Sequence, residues 1–226
     1  MKIFGHRGAA GLVAENTLES IKEALKHKVD GIEIDVHRCK SGELVVIHDE
    51  TLHRTTTGKG NVSDYTLLEL EQFTTKEGFM IPTLNQVLDL IDGQCTLNVE
   101  LKGKNTGVIA VTLLEAHIRT SKWEYDDFII SSFDHTQLFE LKTVTSKFKL
   151  GVLTEDTITK ALPVAKKLKA FSVHPPIYSL TQDEVNMAKA EGYMVYVWTV
   201  NTTELIQQSK SWKVDAIITD FPNFIH

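Results

Sequence analysis

Hydrophobic and polar positions along this chain keep switching between two periods. One stretch sets the scheme. In Gly31-Ile32-Glu33-Ile34-Asp35-Val36-His37, the apolar residues Ile32, Ile34 and Val36 alternate with Glu33, Asp35 and His37, the period of a strand with an apolar and a polar face. The pattern recurs from Cys95 to Lys102, where Leu97, Val99 and Leu101 alternate with Asn98, Glu100 and Lys102. Short apolar runs at 2–5, 128–133, 149–153, 170–174, 194–199 and 215–220 read as further strands. Between them the spacing is helical, predicting helices over 16–28, 82–91, 106–118, 136–144, 158–168, 182–191 and 203–209. Asn16-Thr17-Leu18-Glu19 resembles a helix start, with Asn16 as N-cap and Glu19 three residues on.

The run Leu44 to Asp49 follows a turn centred on Ser41-Gly42 and reads as the return arm of a β-hairpin. A loop of even length places Asp35 opposite His48, so the hairpin carries an imidazole back to the carboxylates. With that arm set aside, eight strands remain, each but the last followed by a helix or crossover, which predicts a (β/α)8 barrel. An open doubly wound sheet is the alternative, but no Gly-x-Gly-x-x-Gly or Walker-type loop opens a helix. Residues 50–79 are the least regular part, with a short helical signal at 66–73. A long excursion of this kind is either a lid or pocket wall, or a passive surface loop.

Composition narrows the class. The 226 residues suit one barrel domain spanning 1–226, and 42% hydrophobic with 24% charged residues is the balance of a soluble globular protein. A net charge of −6 gives no reason to expect nucleic acid, and no basic block or apolar run suggests a membrane. Cys39 and Cys95 suggest neither a disulfide framework nor a zinc ribbon. Met1 to His6 runs straight into a strand without an apolar leader. The expected location is cytoplasmic.

Barrel strands present their chemistry at their C-terminal ends. There the sequence places His6 and Arg7, Glu33 and Asp35, Glu100 and Lys102, Ser131 and Ser132, His174, Trp198 and Asp220, with His48 arriving by the hairpin. Taken alone, the acids of the second strand fit a solvated edge strand as well as a metal site. The whole series in register favours a site, since the opposite strand ends (Ile3, Ile32, Leu97, Ile129) are apolar. Glu33, Asp35 and Glu100 are hard oxygen donors, suited to Mg²⁺ or Ca²⁺. Arg7 and Lys102 are cations suited to a phosphate. His6 and His48 beside them favour general acid–base chemistry. Together they indicate metal-assisted cleavage of a phosphate ester. Of the remaining rim residues, Trp198 is read as an apolar wall of the pocket, and Asp220 as a hydrogen-bonding partner of backbone near Pro222. His174 is weighted slightly toward the site.

His6-Arg7-Gly8, Glu15-Asn16-Thr17, Glu33-x-Asp35, the arm from Gly42 to His48-Asp49, Glu100-Leu101-Lys102, Ser132-Phe133 and Trp198-Thr199-Val200-Asn201 together resemble the glycerophosphodiester phosphodiesterase family. The resemblance covers nearly the whole chain in the family's motif order. It departs at Ala14, where the family usually has proline, and the excursion after His48 is short. It implies a TIM barrel of the phospholipase C-like phosphodiesterase type and a role in glycerol and lipid metabolism. The implied reaction is hydrolysis of small glycerophosphodiesters, such as glycerophosphocholine or glycerophosphoethanolamine, to sn-glycerol 3-phosphate and an alcohol. It further implies Glu33, Asp35 and Glu100 as metal ligands, His6 and His48 as the acid–base pair acting through a cyclic phosphate, and Arg7 and Lys102 on the phosphate. Two rivals remain, a barrel phosphodiesterase acting on lysolipids and a non-catalytic phosphodiester-binding barrel.

Overall fold

The structure is a computed structural model that describes residues 1–225. Nine strands form it: β1 (Lys2–Gly5), β2 (Gly31–Arg38), β3 (Leu44–Val46), β4 (Thr96–Leu101), β5 (Phe128–Ser132), β6 (Lys149–Leu153), β7 (Ser172–His174), β8 (Met194–Val197) and β9 (Ala216–Thr219). All except β3 are parallel to their neighbours and run in chain order, and β1 pairs with both β2 and β9. The sheet therefore closes on itself as an eight-stranded barrel. Helices α1 (Leu18–Lys26), α2 (Leu67–Leu70), α3 (Leu84–Ile91), α4 (Gly107–Thr120), α5 (His135–Val144), α6 (Ile158–Leu168), α7 (Gln182–Ala190) and α8 (Thr203–Ser211) lie between strands. Apart from α2 they are the crossover helices that parallel neighbours require. None is long and apolar enough to cross a membrane.

The period-two pattern is realised as read. Ile32, Ile34 and Val36 are fully buried in the main cluster with Ile21 and Ala24 of α1 and Val87, Leu88 and Ile91 of α3. The polar side of β2 faces the barrel lumen. Below it the lumen is filled by Phe4, Ile129, Tyr196, Ala216 and Ile218, so the barrel is a packed core with an open mouth, not a pore.

The hairpin register differs from the expected one by a residue. The pairs are Val36 with Val46, His37 with Val45 and Arg38 with Leu44, so the loop Cys39–Glu43 has odd length and is centred on Ser41. Its turn is closed by Cys39 N donating to Glu43 O at 3.0 Å and Gly42 N to Cys39 O at 3.0 Å, with Gly42 at φ +109°. Asp35 therefore opposes Ile47, whose N–H donates to Asp35 O at 3.1 Å, rather than His48. A one-residue slip would turn His48 to the other face of a continuing strand. The ladder ends at Val46 instead, and the chain leaves the sheet before His48.

β1 is short and stops opposite Ile32, and β3 takes the β2 edge that it vacates. The excursion after β3 has a small apolar core of its own, in which Leu52, Val62, Leu70 and Ile81 pack on Cys39, Val45 and Ile47. That core fixes the excursion on the hairpin beside the barrel mouth.

Candidate active site

The acids come together because β2 and β4 are adjacent and in register. Asp35 pairs with Glu100, and Glu33 lies two residues back along the same face. Carboxylate oxygens of Glu33, Asp35 and Glu100 all lie within 4.8 Å of one another, and all three residues are buried. Such a cluster is costly without a cation. Burial, with repulsion from Asp35 and Glu100, pushes the Glu33 carboxyl well above its ordinary pKa. Burial and Asp35 push Glu100 up to about 7. Asp35 goes the other way: burial works against its charge, but Arg7, His48 and Lys102 outweigh it and hold the pKa low. Glu33 Oε1 is buried without a hydrogen-bond partner. An orphaned oxygen in an all-oxygen cluster of this span is what a hard divalent ion requires, since it would take oxygens at roughly 2.0–2.6 Å.

The first loop delivers His6 and Arg7. Gly8, at φ +85°, lets the chain turn against the start of α1, where a Cβ would come within 2.6 Å of the Ser20 carbonyl carbon. Ser20 Oγ locks the turn, accepting from Ala9 N at 2.7 Å and donating to Arg7 O at 2.8 Å. Arg7 N donates to Glu33 Oε2 at 3.0 Å, and its guanidinium donates to Glu15 at 2.8 Å and lies 3.3 Å from Asp35. Burial disfavours its charge, but Asp35, Glu15 and Glu33 outweigh burial and keep it firmly protonated.

His6 Nδ1 lies 2.6 Å from Asp220 Oδ1, and Asp220 Oδ2 accepts from Asn201 Nδ2 at 2.6 Å. Asp220 thus orients an imidazole rather than bonding backbone near Pro222, as expected from the sequence. With Nδ1–H given to the carboxylate, Nε2 is the free nitrogen, 3.9 Å from Glu33 Oε2. His48 repeats the device, with Nδ1 at 2.6 Å from Asp49 Oδ1. Burial lowers the His48 pKa. Lys102 Nζ donates to Glu100 Oε1 at 2.9 Å and lies 5.1 Å above the Phe133 ring.

His6, Arg7, Glu33, Glu100, Lys102 and His48 line one cavity of about 210 Å³. Its apolar side is Phe133, Leu153, Trp198 and Ile218. Trp198 meets Phe133 edge-on at 5.7 Å and donates from Nε1 to His174 O at 2.8 Å. The seven residues His6, Arg7, Glu33, His48, Glu100, Lys102 and Trp198 thus meet around one mouth, and Asp35 joins them through the carboxylate cluster. His174 does not stand on the rim: it is fully buried, bonded to Ser172 Oγ at 2.7 Å and stacked on Tyr196. Burial pushes its pKa down to about 3, the mark of a neutral structural imidazole.

Several contributors were missed. Asn16 is not the N-cap of α1; Thr17 is, its Oγ1 accepting from Ser20 N at 3.1 Å. Asn16 instead takes a left-handed conformation (φ +58°) and donates from Nδ2 to Asp35 Oδ2 at 2.9 Å. Arg54, in the excursion, donates to both oxygens of Asp49 at 2.7 and 2.9 Å and to both of Glu15 at 2.8 and 2.7 Å. The neighbour of His48 in sequence and the Glu15-Asn16-Thr17 motif were signals for Asp49, Glu15 and Asn16. No sequence signal pointed to Arg54.

The glycerophosphoryl diester phosphodiesterase family model matches residues 6–224. A glycerophosphodiester phosphodiesterase of Caldanaerobacter subterraneus subsp. tengcongensis is 36% identical, the alignment covering 97% of this chain and 94% of the relative. One from Bacillus altitudinis is 34% identical, over 98% of this chain and 95% of the relative. Among solved structures, an Oleispira antarctica phosphodiesterase in complex with its product sn-glycerol-3-phosphate superposes with a TM-score of 0.90 at 27% identity, covering 100% of this chain and 95% of that one. The Thermotoga maritima glycerophosphodiester phosphodiesterase gives a TM-score of 0.82 at 28% identity, over 99% and 96%. A barrel whose mouth gathers these groups, matched along nearly its whole length, belongs to the glycerophosphoryl diester phosphodiesterase family.

Proposed function

We propose that this enzyme hydrolyses glycerophosphodiesters to sn-glycerol 3-phosphate and an alcohol, with a divalent cation, Mg²⁺ or Ca²⁺, held by Glu33, Asp35 and Glu100. The observation that carries this reading is the convergence of the carboxylate cluster and two imidazole–carboxylate pairs on one cavity. A bound cation would neutralise the non-bridging phosphate oxygens and lower the pKa of an attacking hydroxyl.

The chain's own residues do the rest. Arg7 and Lys102 face the phosphate, Lys102 as a point charge and Arg7 as a guanidinium already anchored by Glu15. His6, its Nδ1–H committed to Asp220, takes the proton of the glycerol 2-hydroxyl at Nε2 as that oxygen attacks phosphorus. His48, its Nδ1 held by Asp49, gives a proton from Nε2 to the leaving alcohol oxygen as the phosphorus–oxygen bond breaks. Water then opens the cyclic phosphate with the two roles exchanged. The apolar wall that includes Trp198 and Phe133 packs on the glycerol carbons and keeps bulk water from the reacting centre.

The test is to incubate the purified chain with glycerophosphoglycerol and measure sn-glycerol 3-phosphate by a coupled dehydrogenase. Product is expected with Mg²⁺ or Ca²⁺, none with EDTA, and recovery when the ion is restored. No product under any of these conditions sinks the proposal.

A further inference from the structure

His48 and Lys102 line a second, wider cavity besides the one described, so the two are contiguous across these side chains. It measures about 810 Å³ and is also walled by Arg38, Lys40 and Lys104. These three come from different segments: the end of β2, the hairpin loop and the turn between β4 and α4. Among the described residues none of the three is engaged in an ion pair, whereas Arg7 and Arg54 are each held by carboxylates. Of the acids lining the cavity, Asp49 is taken up by His48 and Arg54, and Glu50 stands exposed. In a chain of net charge −6, three cations against the single free lining carboxylate of Glu50 leave positive charge in excess beside the candidate proton donor. Like charges gathered in this way repel one another and raise the local concentration of anions.

Resting on the reading above, we propose that this cavity receives the leaving alcohol, and that it selects leaving alcohols carrying a second phosphate. The smaller cavity has room for a glycerol phosphate; the larger lies past His48, where the alcohol must depart. A phosphate on that alcohol would sit among Arg38, Lys40 and Lys104. No group of the reaction changes, since the scissile bond, the attacking hydroxyl and both proton transfers are as before.

The experiment compares kcat/KM for glycerophosphoglycerol and for the same diester phosphorylated on its leaving glycerol. It uses the full chain with its divalent cation and a variant carrying Arg38→Gln, Lys40→Gln and Lys104→Gln. Exposed charge pairs are typically worth about twofold each, so three cations should favour the phosphorylated substrate by roughly tenfold. Salt should erode that preference. The variant should bring the ratio close to one while its turnover of glycerophosphoglycerol stays as in the parent. A ratio near one in the parent enzyme, or one that survives the triple substitution, overturns the proposal. Absence of turnover on glycerophosphoglycerol itself overturns the diesterase reading and this one with it, so the two failures are told apart by that substrate.

Discussion

Replacing Glu100 by glutamine should stabilise the metal-free protein while removing metal-dependent turnover. Glu100 is buried at 7% exposure among Asp35 and Glu33, and its pKa is pushed up from an ordinary 4.5 to about 7 even with Lys102 at 2.9 Å. Between those values the folded protein keeps a proton that the unfolded chain releases. Stability is therefore lost as pH rises through that window, and the loss is complete above it. A displacement of this size corresponds to about 3 kcal/mol. Glutamine keeps an oxygen for Lys102 but does not titrate. Urea unfolding of both proteins in EDTA should give equal stability near about pH 4, and a difference growing to about 3 kcal/mol in favour of the variant by about pH 8. Adding the divalent cation should reverse the order, because binding at about a thousandfold its Kd adds about 4 kcal/mol to the parent alone. A difference independent of pH in EDTA would refute the reasoning, since it would mean that the acid carries no strain for a cation to relieve.

Replacing His6 or His48 by alanine should lower kcat by roughly 10²–10⁴-fold, the usual worth of a positioned acid or base, while circular dichroism and the cation-induced rise in Tm persist. Near-normal turnover in either variant defeats its assignment. Asp220→Asn should cost up to about 10²-fold in kcat with KM little changed, because the amide no longer selects the His6 tautomer with a free Nε2; an unchanged pH–rate profile would show that Asp220 plays no such part. Arg54→Met should leave Asp49 and Glu15 without their shared cation and lower stability by about 1 kcal/mol, the partly exposed guanidinium being screened by solvent. Arg54→Lys should recover that stability only in part, since one ammonium cannot fork onto two carboxylates, and a wild-type Tm in the lysine variant would count against the clamp.

What the sequence determined by itself was everything that repeats over a few residues. Alternation placed Glu33, Asp35 and Glu100 on the lumen side of two strands, and parallel neighbours in register then had to bring them together. Helical spacing between strands was enough for the barrel, because each crossover must return the chain to a parallel neighbour. Tertiary structure decided what depends on closure and on single-residue geometry. His6 and Asp220 lie 214 positions apart and meet because β9 closes the barrel onto β1. The hairpin register turned on whether its loop was odd or even, which a period-two pattern cannot count. Asn16 left its expected cap for Asp35 because the adjoining Thr17 caps equally well. Arg54 reaches its two acids only because a small core fixes the excursion against the hairpin. Local periodicity chooses which face a side chain takes; which distant side chain it meets there depends on long-range closure, of which no short window of sequence carries a trace.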